Sequence, residues 1–495
     1  MARSTGPAGS GAGTRVEKDT MGQMRVPADA LYGATTQRAV ENFPISGRPV
    51  PPAVIHAYGH IKAACADVNH ALGRLSAKRH KAIVEAAQEV ARGLHDSHFP
   101  IDVFQTGSGT STNMNVNEVI ANLVCVKHGK PAGSSKDPAW IGDEKTGTGV
   151  HPNDHVNMGQ SSNDTFPTAI HVAAAIAIQR DLLPALVTIT KRLDKQAKAW
   201  DKVIKIGRSH LQDATPIRLG QEFSGFAHQM RMAQDRAKRA LSVLCELPIG
   251  GTAVGTGINA HEEFGKRVSM RLAEMLKVPF REAHNHFEAQ HAKDAAVEAS
   301  GHLKTIAVSL SKIAGDIRLM GFGPRCGIGE LKIPAVQPGS SIMPGKVNPV
   351  IAEAVVMVCC RVIGNDATIT TAGLGGIGGL LDLHVAMPVM AEALLDSIEL
   401  IARGCGVLDQ KLLAGLEPDE ARCKALIEGS LAMCTSLVPA IGYDKAAALA
   451  KDAFAQGKTV RQLALEQKLL PEKDLNRLLD PWSMTVPGGE GSAGG

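Results

Sequence analysis

Aromatic residues are scarce: Trp, Tyr and Phe together make up 3% of the 495 residues. The core must therefore be built from Ala, Leu, Ile, Val and Met. Such side chains suit closely packed helices better than a β-sandwich. Cysteine supplies no framework either. The nine thiols are an odd number, spread along the chain without a C-x-x-C pair, and Cys359 and Cys360 adjoin within an apolar run. This pattern reads as reduced, buried thiols of a cytosolic protein. No uninterrupted apolar run reaches membrane-spanning length. The longest, 169–178, already contains His171. A strong charge excess is also missing: the net charge of +4 carries no nucleic-acid signature. Residues 1–14 are rich in Gly, Ala, Ser and Pro, lack the apolar centre of a secretion signal, and are short of arginine for an organelle presequence. No fixed-period repeat is visible.

What the chain does have is a dozen residues at 338–349, PGSSIMPGKVNP, with two glycines, three prolines, two adjacent hydroxyls, a lysine and an asparagine. Gly339, Pro344, Gly345 and Pro349 forbid a regular helix or central strand across it. It is a shaped loop, either a surface connector or one wall of a site. Three further polar loops lie far away in sequence, at 106–117, 151–164 and 207–212.

Between the loops run apolar-periodic segments. Those at 54–72 and 81–94 are helical, and 114–126 is helix-like, with Asn113 and Asn117 one turn apart on one face. Segments 165–200, 216–247, 287–319, 350–372 and 387–408 are longer than the globular mean and predict an up-and-down bundle. The fold class is mainly α. The predicted organisation is an unstructured tail (1–18), a mixed, mostly helical domain (19–160), a central helical bundle (161–415), a small C-terminal helical domain (416–482) and a flexible tail (483–495). Lys191, Lys195, Lys198, Lys202 and Lys205 recur at helical spacing and read as a solvated basic face.

Several motifs are decoys. The 338–349 loop resembles a phosphate-binding loop, but five residues separate Gly339 from Gly345 where four are needed, and Val347 replaces the magnesium-holding hydroxyl. The glycine loop at 250–257 lacks dinucleotide-binding spacing. His56 with His60, and His151 with His155, have ligand spacing, yet no acidic or Cys cluster completes a metal site. The four polar loops supply hydroxyls, amides, one lysine and backbone N–H groups, the donors needed to hold a small dicarboxylate. Arg208 is the only arginine among them. Such a set suits elimination across a carbon–carbon bond, where removing the proton beside a carboxylate makes a dianionic aci-acid. Lys346, Asn348 and loop N–H groups would stabilise it. Ser340 is a candidate base if its loop lowers its pKa, and His210 is either a proton shuttle or a satisfied structural histidine. Glu353 could orient His210 across the fold.

The sequence GSSIMPGKVN at 339–348 resembles the fumarase/aspartase superfamily signature G-S-x-x-M-P-x-K-x-N. TGSGT at 106–110, NMNVNE at 113–118, HPND at 151–154, SSN at 161–163, GGTAVGTG at 250–257 and GPRCGIG at 323–329 are similar to its blocks. The resemblance covers residues 15–479 and is closest to the class II fumarate hydratases. Gly345, His210 and Ser162 fit fumarases, where aspartases usually carry alanine, glutamine and threonine.

The resemblance implies a three-domain fold with a central long-helix bundle, a homotetramer whose active sites draw loops from three subunits, and reversible hydration of fumarate to L-malate. It implies no metal or organic cofactor, no nucleic-acid or membrane partner, and a cytoplasmic location, or the mitochondrial matrix in a eukaryote. Ser340 would remove the C3 proton of malate, and His210 with Glu353 would handle the water proton. Ser108, Gly109, Thr110, Ser161, Ser162, Asn163, Ser341, Lys346 and Asn348 would hold the carboxylates. Ser209 stands where threonine is usual and keeps the hydroxyl. His151, Asn153 and Asp154 would form a second anion site. The chain departs from the family at 380–384, where LLDLH stands for Asn-Phe-Glu-Leu-Asn. Thr148 stands near where bacterial relatives place an arginine, and the 127–150 loop is long. The rival readings are an aspartate ammonia-lyase and a catalytically silent superfamily member.

Overall fold

The computed structural model describes residues 13–143 and 147–487. The chain opens with a ribbon of β1 (Thr14–Asp19) and β2 (Gly22–Pro27), so the expected unstructured tail gives way to a strand at Thr14. Residues 1–12 of that tail lie outside the described residues, as do 488–495 of the C-terminal one. Helices follow: α1 (Ala34–Asn42), α2 (Pro52–Ala71), α3 (Ala77–Ala91), α4 (Thr110–Lys127), the short α5 (Pro138–Ile141), α6 (Ser162–Ala177) and α7 (Leu183–Ala199). A hairpin of β3 (Ile204–Ser209) and β4 (Gln212–Arg218) leads into α8 (Leu219–Val243). Then come β5 (Glu246–Leu247), α9 (Phe264–Leu276), β6 (Arg281–Glu282), α10 (His286–His291), α11 (Asp294–Met320) and β7 (Leu331–Lys332). After α12 (Val350–Gly373), a small turn carries β8 (Gly379–Leu380) and β9 (Leu383–His384). The last elements are α13 (Met387–Val407), β10 (Glu417–Pro418), α14 (Glu420–Gly429), α15 (Val438–Ile441), α16 (Tyr443–Gln456), α17 (Val460–Glu466) and α18 (Glu472–Leu478). Strands among the described residues form only two-stranded ribbons, so the architecture is mainly α.

Two compact units emerge. The first comprises the chain up to Leu183 with Arg236–Thr305 and Arg361–Ile401. Its α2, α4 and α6 are buried nearly all round, as helices inside a bundle must be. Gly59 lets α2 approach α3, because a Cβ there would lie 2.4 Å from the backbone nitrogen of Ala91. A helical stretch at 162–199 is apolar enough by length and composition to cross a membrane, with mean hydropathy 1.6 in an 18-residue window. Its longest uninterrupted apolar run is 169–178, as expected. His171 does not interrupt the helix, because its Nδ1 donates to the Glu246 carbonyl at 2.7 Å.

The second unit comprises Pro184–Asp235, Ile306–Cys360 and the chain from Ala402. Its small core packs Ile206 of β3 with Ile427, Leu437, Leu449, Leu463 and Leu475 from the C-terminal helices. Two sequence expectations change here. Residues 207–212 are not a polar loop but the tip of the β3–β4 hairpin, and Pro216 lies in β4 rather than at a helix start. Lys205 does not join a solvated face: its side chain is 2% exposed and pairs with Glu330 and Glu222 at 3.2 and 3.1 Å. On the strand it lies on the face opposite Ile206, where Glu222 and Glu330 cover it, whereas a helix would have placed it with its neighbours. The described cysteines are free, but Cys326 and Cys360 are exposed rather than buried.

Candidate active site

In the first unit, two helix N-termini meet. Gly109 precedes α4 with φ 73°, and a Cβ there would strike the Phe166 ring at 2.0 Å, so the turn requires glycine. Ser161 caps α6. Its Oγ accepts the Asn163 N–H at 3.2 Å, while Asp164 accepts the Ser161 N–H at 2.9 Å. Across the junction runs a chain of hydroxyls: Ser108 Oγ lies 2.9 Å from Thr110 Oγ1, which lies 2.7 Å from Ser162 Oγ. Asn163 donates to the Ala253 carbonyl at 2.8 Å, anchoring the 250–257 glycine loop beside them. Unsatisfied N–H groups and positive dipole ends at two helix starts form a natural anion site. Six of the expected residues, Ser108, Gly109, Thr110, Ser161, Ser162 and Asn163, are thus gathered in this junction.

The other expected residues occupy separate places. His151, Asn153 and Asp154 form a turn of their own, in which His151 Nδ1 accepts the N–H groups of Asn153 and Asp154 at 3.3 and 3.1 Å. Burial lowers the His151 pKa, opposed by Asp154 and assisted by Lys136.

In the second unit, the 338–349 loop closes on itself. The Gly339 N–H donates to the Lys346 carbonyl at 2.8 Å, and Asn348 Nδ2 donates to the Gly339 carbonyl at 2.7 Å. Ser340 Oγ accepts two backbone N–H groups, from Ile342 at 3.2 Å and Met343 at 3.0 Å. Residues 335–340, Met343 and 345–347 line a cavity of about 460 Å³. Ser341 and Lys346 are exposed.

Ser209 and His210 stand at the tip of the hairpin, where His210 and Leu211 take φ of 56° and 61°. Arg208 is no free clamp: it pairs with Asp213 at 2.8 Å and Glu330 at 3.1 Å. His210 and Glu353 are both exposed, and among the described residues no hydrogen bond or ion pair joins them.

Against this geometry, comparison with known proteins is decisive. A family described as Lyase matches residues 22–364, and one described as Fumarase C C-terminus matches 433–486. A class II fumarate hydratase of Corynebacterium glutamicum is 51% identical over 95% of this chain and 96% of its own. The chain belongs to the class II fumarate hydratase family. The Mycobacterium tuberculosis fumarate hydratase is 50% identical over 95% of this chain and 96% of its own. A crystal structure of recombinant class II fumarase from Schistosoma mansoni superposes with a TM-score of 0.89 at 37% identity, covering 96% of this chain and 99% of that one. The helical fumarase/aspartase fold is therefore that of this chain as well.

Sequence reasoning passed over the floor beneath this junction in the family member. Lys62 on α2 is completely buried, and its ammonium donates to Asn113 Oδ1, Asn157 Oδ1 and Gln160 Oε1. Asp164, also completely buried, accepts the N–H groups of Ser161, Gly250 and Thr252. Burial pushes its pKa up to about 6, against the pull of those N–H groups and of Lys62. A lysine inside the apolar run HIKAACA at 60–66 was the available signal. At 380–384 the family departure proves to be a tight turn. Its His384 is buried and bonded to the Ala372 carbonyl at 3.0 Å. The turn abuts the 106–110 loop: Met387 N–H donates to the Gly107 carbonyl at 3.0 Å, and a Cβ on Gly107 would sit 1.7 Å from the Val385 carbonyl oxygen. Among the described residues no group of three or more His, Cys, Asp or Glu side chains could hold a metal ion.

Proposed function

We propose that this protein is a fumarate hydratase, adding water reversibly to fumarate to give L-malate. The observation that carries the reading is the hydroxyl run Ser108–Thr110–Ser162 laid across two helix N-termini. It offers donors to a carboxylate, and Asp164 beneath it is already engaged by the N–H groups of Ser161, Gly250 and Thr252. The relatives named above are fumarate hydratases, and their activity is extended here to this chain.

Every step is assigned to the chain's own groups. Ser340 takes the C3 proton of malate. The two N–H groups on its Oγ favour the alkoxide, as they would any oxyanion. The electron pair left at C3 moves into the adjacent carboxylate as an aci-acid. Lys346, Asn348, Ser341 and the α4 and α6 N-termini with Ser108, Gly109, Thr110, Ser161, Ser162 and Asn163 hold the two carboxylates. His210, oriented by Glu353, gives its proton to the C2 hydroxyl, which departs as water and leaves fumarate. Ser209, beside His210 at the hairpin tip, also binds the substrate. His151, Asn153 and Asp154 bind a second anion.

The site is completed by copies of this chain in a homotetramer. Supporting this, the groups of the reaction are distributed over separate loops. The loops also expose apolar tips, Ile342 at 84% and Leu211 at 68%, that a partner would cover. The substrate is a small dicarboxylate in the cytoplasm, and the reaction calls for neither nucleic acid nor membrane. Following fumarate absorbance with and without ammonium tests the reading. Malate formed without ammonium is expected, whereas aspartate formed only with ammonium would overturn it.

A further inference from the structure

Lys62 is used by none of the steps above. Its ammonium donates to three amide oxygens, at 2.8 Å to Asn113, 3.0 Å to Asn157 and 2.9 Å to Gln160. None is a carboxylate. A buried ammonium is ordinarily paired with one, because taking it out of water is costly.

The three amides belong to segments that the site uses. Asn113 stands one turn beyond Thr110 on α4. Asn157 and Gln160 lie between the His151–Asp154 turn and the Ser161 cap of α6. They are locked together: Asn113 Nδ2 donates to Asn157 Oδ1 at 3.1 Å, and Asn157 Nδ2 donates to the Gln160 carbonyl at 3.1 Å. The positive charge thus sits behind two helix N-termini that are themselves positive.

Few charged or titratable groups face it. On its own helix these are Tyr58, whose ring centroid is 5.7 Å from the ammonium, and Cys65. On α6 there is Asp164, whose carboxylate already accepts three backbone N–H groups. From α4 and the 157–160 segment come only the amides. Burial lowers the Lys62 pKa to about 7, against the pull of Cys65 and Asp164.

We propose that Lys62 is a positioning residue for the dicarboxylate. Its ammonium ties the first turn of α4 to the segment entering α6, and its charge is balanced by a dianion bound at Ser108, Thr110 and Ser162. The inference rests on the dicarboxylate reading above. One consequence is specific to charge: a bound dianion favours the protonated ammonium, so binding at pH 8 draws a proton from solvent.

The test is calorimetric titration of the full-length protein with succinate at pH 8, in buffers of different ionisation enthalpy. The wild type is expected to take up a substantial fraction of a proton per site. Gln160→Glu places a carboxylate against the ammonium. It is expected to abolish the uptake and weaken succinate binding about tenfold, the scale of one unit charge at an effective dielectric near 20, with no loss of thermal stability. A purely structural tie predicts the reverse, and unchanged affinity and uptake in a stable Gln160→Glu protein would overturn the proposal. Lys62→Met is expected to lose the uptake too, and a folded Lys62→Met protein that keeps it overturns the proposal independently. Fumarate turnover by the wild type is measured alongside. Turnover without Lys62-dependent uptake sinks this inference alone, whereas absence of both turnover and succinate binding sinks the underlying reading.

Discussion

Thr110 Oγ1 and Ser162 Oγ lie 2.7 Å apart across 52 residues of chain. One belongs to the first turn of α4, the other to the first turn of α6, so the contact fixes the spacing of two helix starts. On the proposed reading, a dicarboxylate entering this junction would recruit hydroxyls already held in place, with little ordering left to do. Ser162→Ala removes one donor and breaks the run. The expected result is a fall of about 10- to 100-fold in kcat/KM for fumarate, mostly through KM, on the scale of a lost hydrogen bond to a charged group. Steady-state kinetics beside a thermal unfolding curve checks this, and an unchanged KM would detach the hydroxyl run from substrate binding.

Ser340 offers a sharper division between chemistry and structure. Its oxygen is held by two backbone N–H groups within the loop. Ser340→Ala is expected to lower kcat by about 10²- to 10⁴-fold, the usual contribution of a positioned base. Assembly and unfolding temperature should not change. Turnover near the wild-type rate would refute the assignment.

Gly339 gives a test of the same loop that leaves every functional group in place. A Cβ there would lie 2.5 Å from the Lys346 carbonyl oxygen. Gly339→Ala must therefore open the clasp that sets Ser340 and Asn348 in register. The expected loss in kcat/KM is at least about 100-fold, as misplacement near 1 Å can cost, with the thermal midpoint little moved because the loop is largely exposed. Full activity would show that the clasp does not position the base.

His210 occupies a left-handed turn position that asparagine also tolerates. His210→Asn therefore removes the imidazole while keeping the hairpin. A fall in kcat of about 100-fold or more is expected if the ring moves the water proton. Circular dichroism verifies the fold, and an unchanged rate returns His210 to a structural role.

How much of this was legible in the sequence follows from the range of the forces involved. The helices α11, α12 and α13 write their burial into local apolar periodicity, and the 338–349 loop announces itself through proline and glycine. The hairpin carrying His210 does not. Its two-residue turn, His210–Leu211, lacks the glycine or asparagine that usually marks such a turn, and Lys205 falls by chance at helical spacing with the lysines before it. The Lys62 cage was equally hidden. Its partners lie 51, 95 and 98 residues away, so nothing near Lys62 in the chain reveals what satisfies it. Reading 287–319 as one helix missed the break between α10 and α11. There Lys293 turns its ammonium onto the carbonyls of Ala289, Gln290 and Ala292.

His384 makes the family departure at 380–384 measurable through pH. The ring is fully buried; Nε2–H donates to the Ala372 carbonyl at 3.0 Å, and Nδ1 accepts the Ala386 N–H at 3.3 Å. Both nitrogens are therefore satisfied only in the neutral tautomer. Burial, reinforced by the charge of Lys293, pushes its pKa down to about 4. An unfolded histidine titrates near 6.5, so between these values the unfolded chain binds more protons than the folded one. The contribution of His384 is complete above pH 6.5 and is lost as pH falls through 4. With solvent screening allowed for, it amounts to about 2 kcal/mol. His384→Asn removes the titration. Denaturant unfolding at pH 7, 6, 5 and 4 should show the wild type losing about 2 kcal/mol more than the variant over this range. A common decline of comparable size will persist in both from His171, which burial also lowers to about 4. Parallel curves would place the acid sensitivity elsewhere. A steeper wild-type curve would show that this turn, seated against Gly107 of the 106–110 loop, is held by a histidine that must stay neutral.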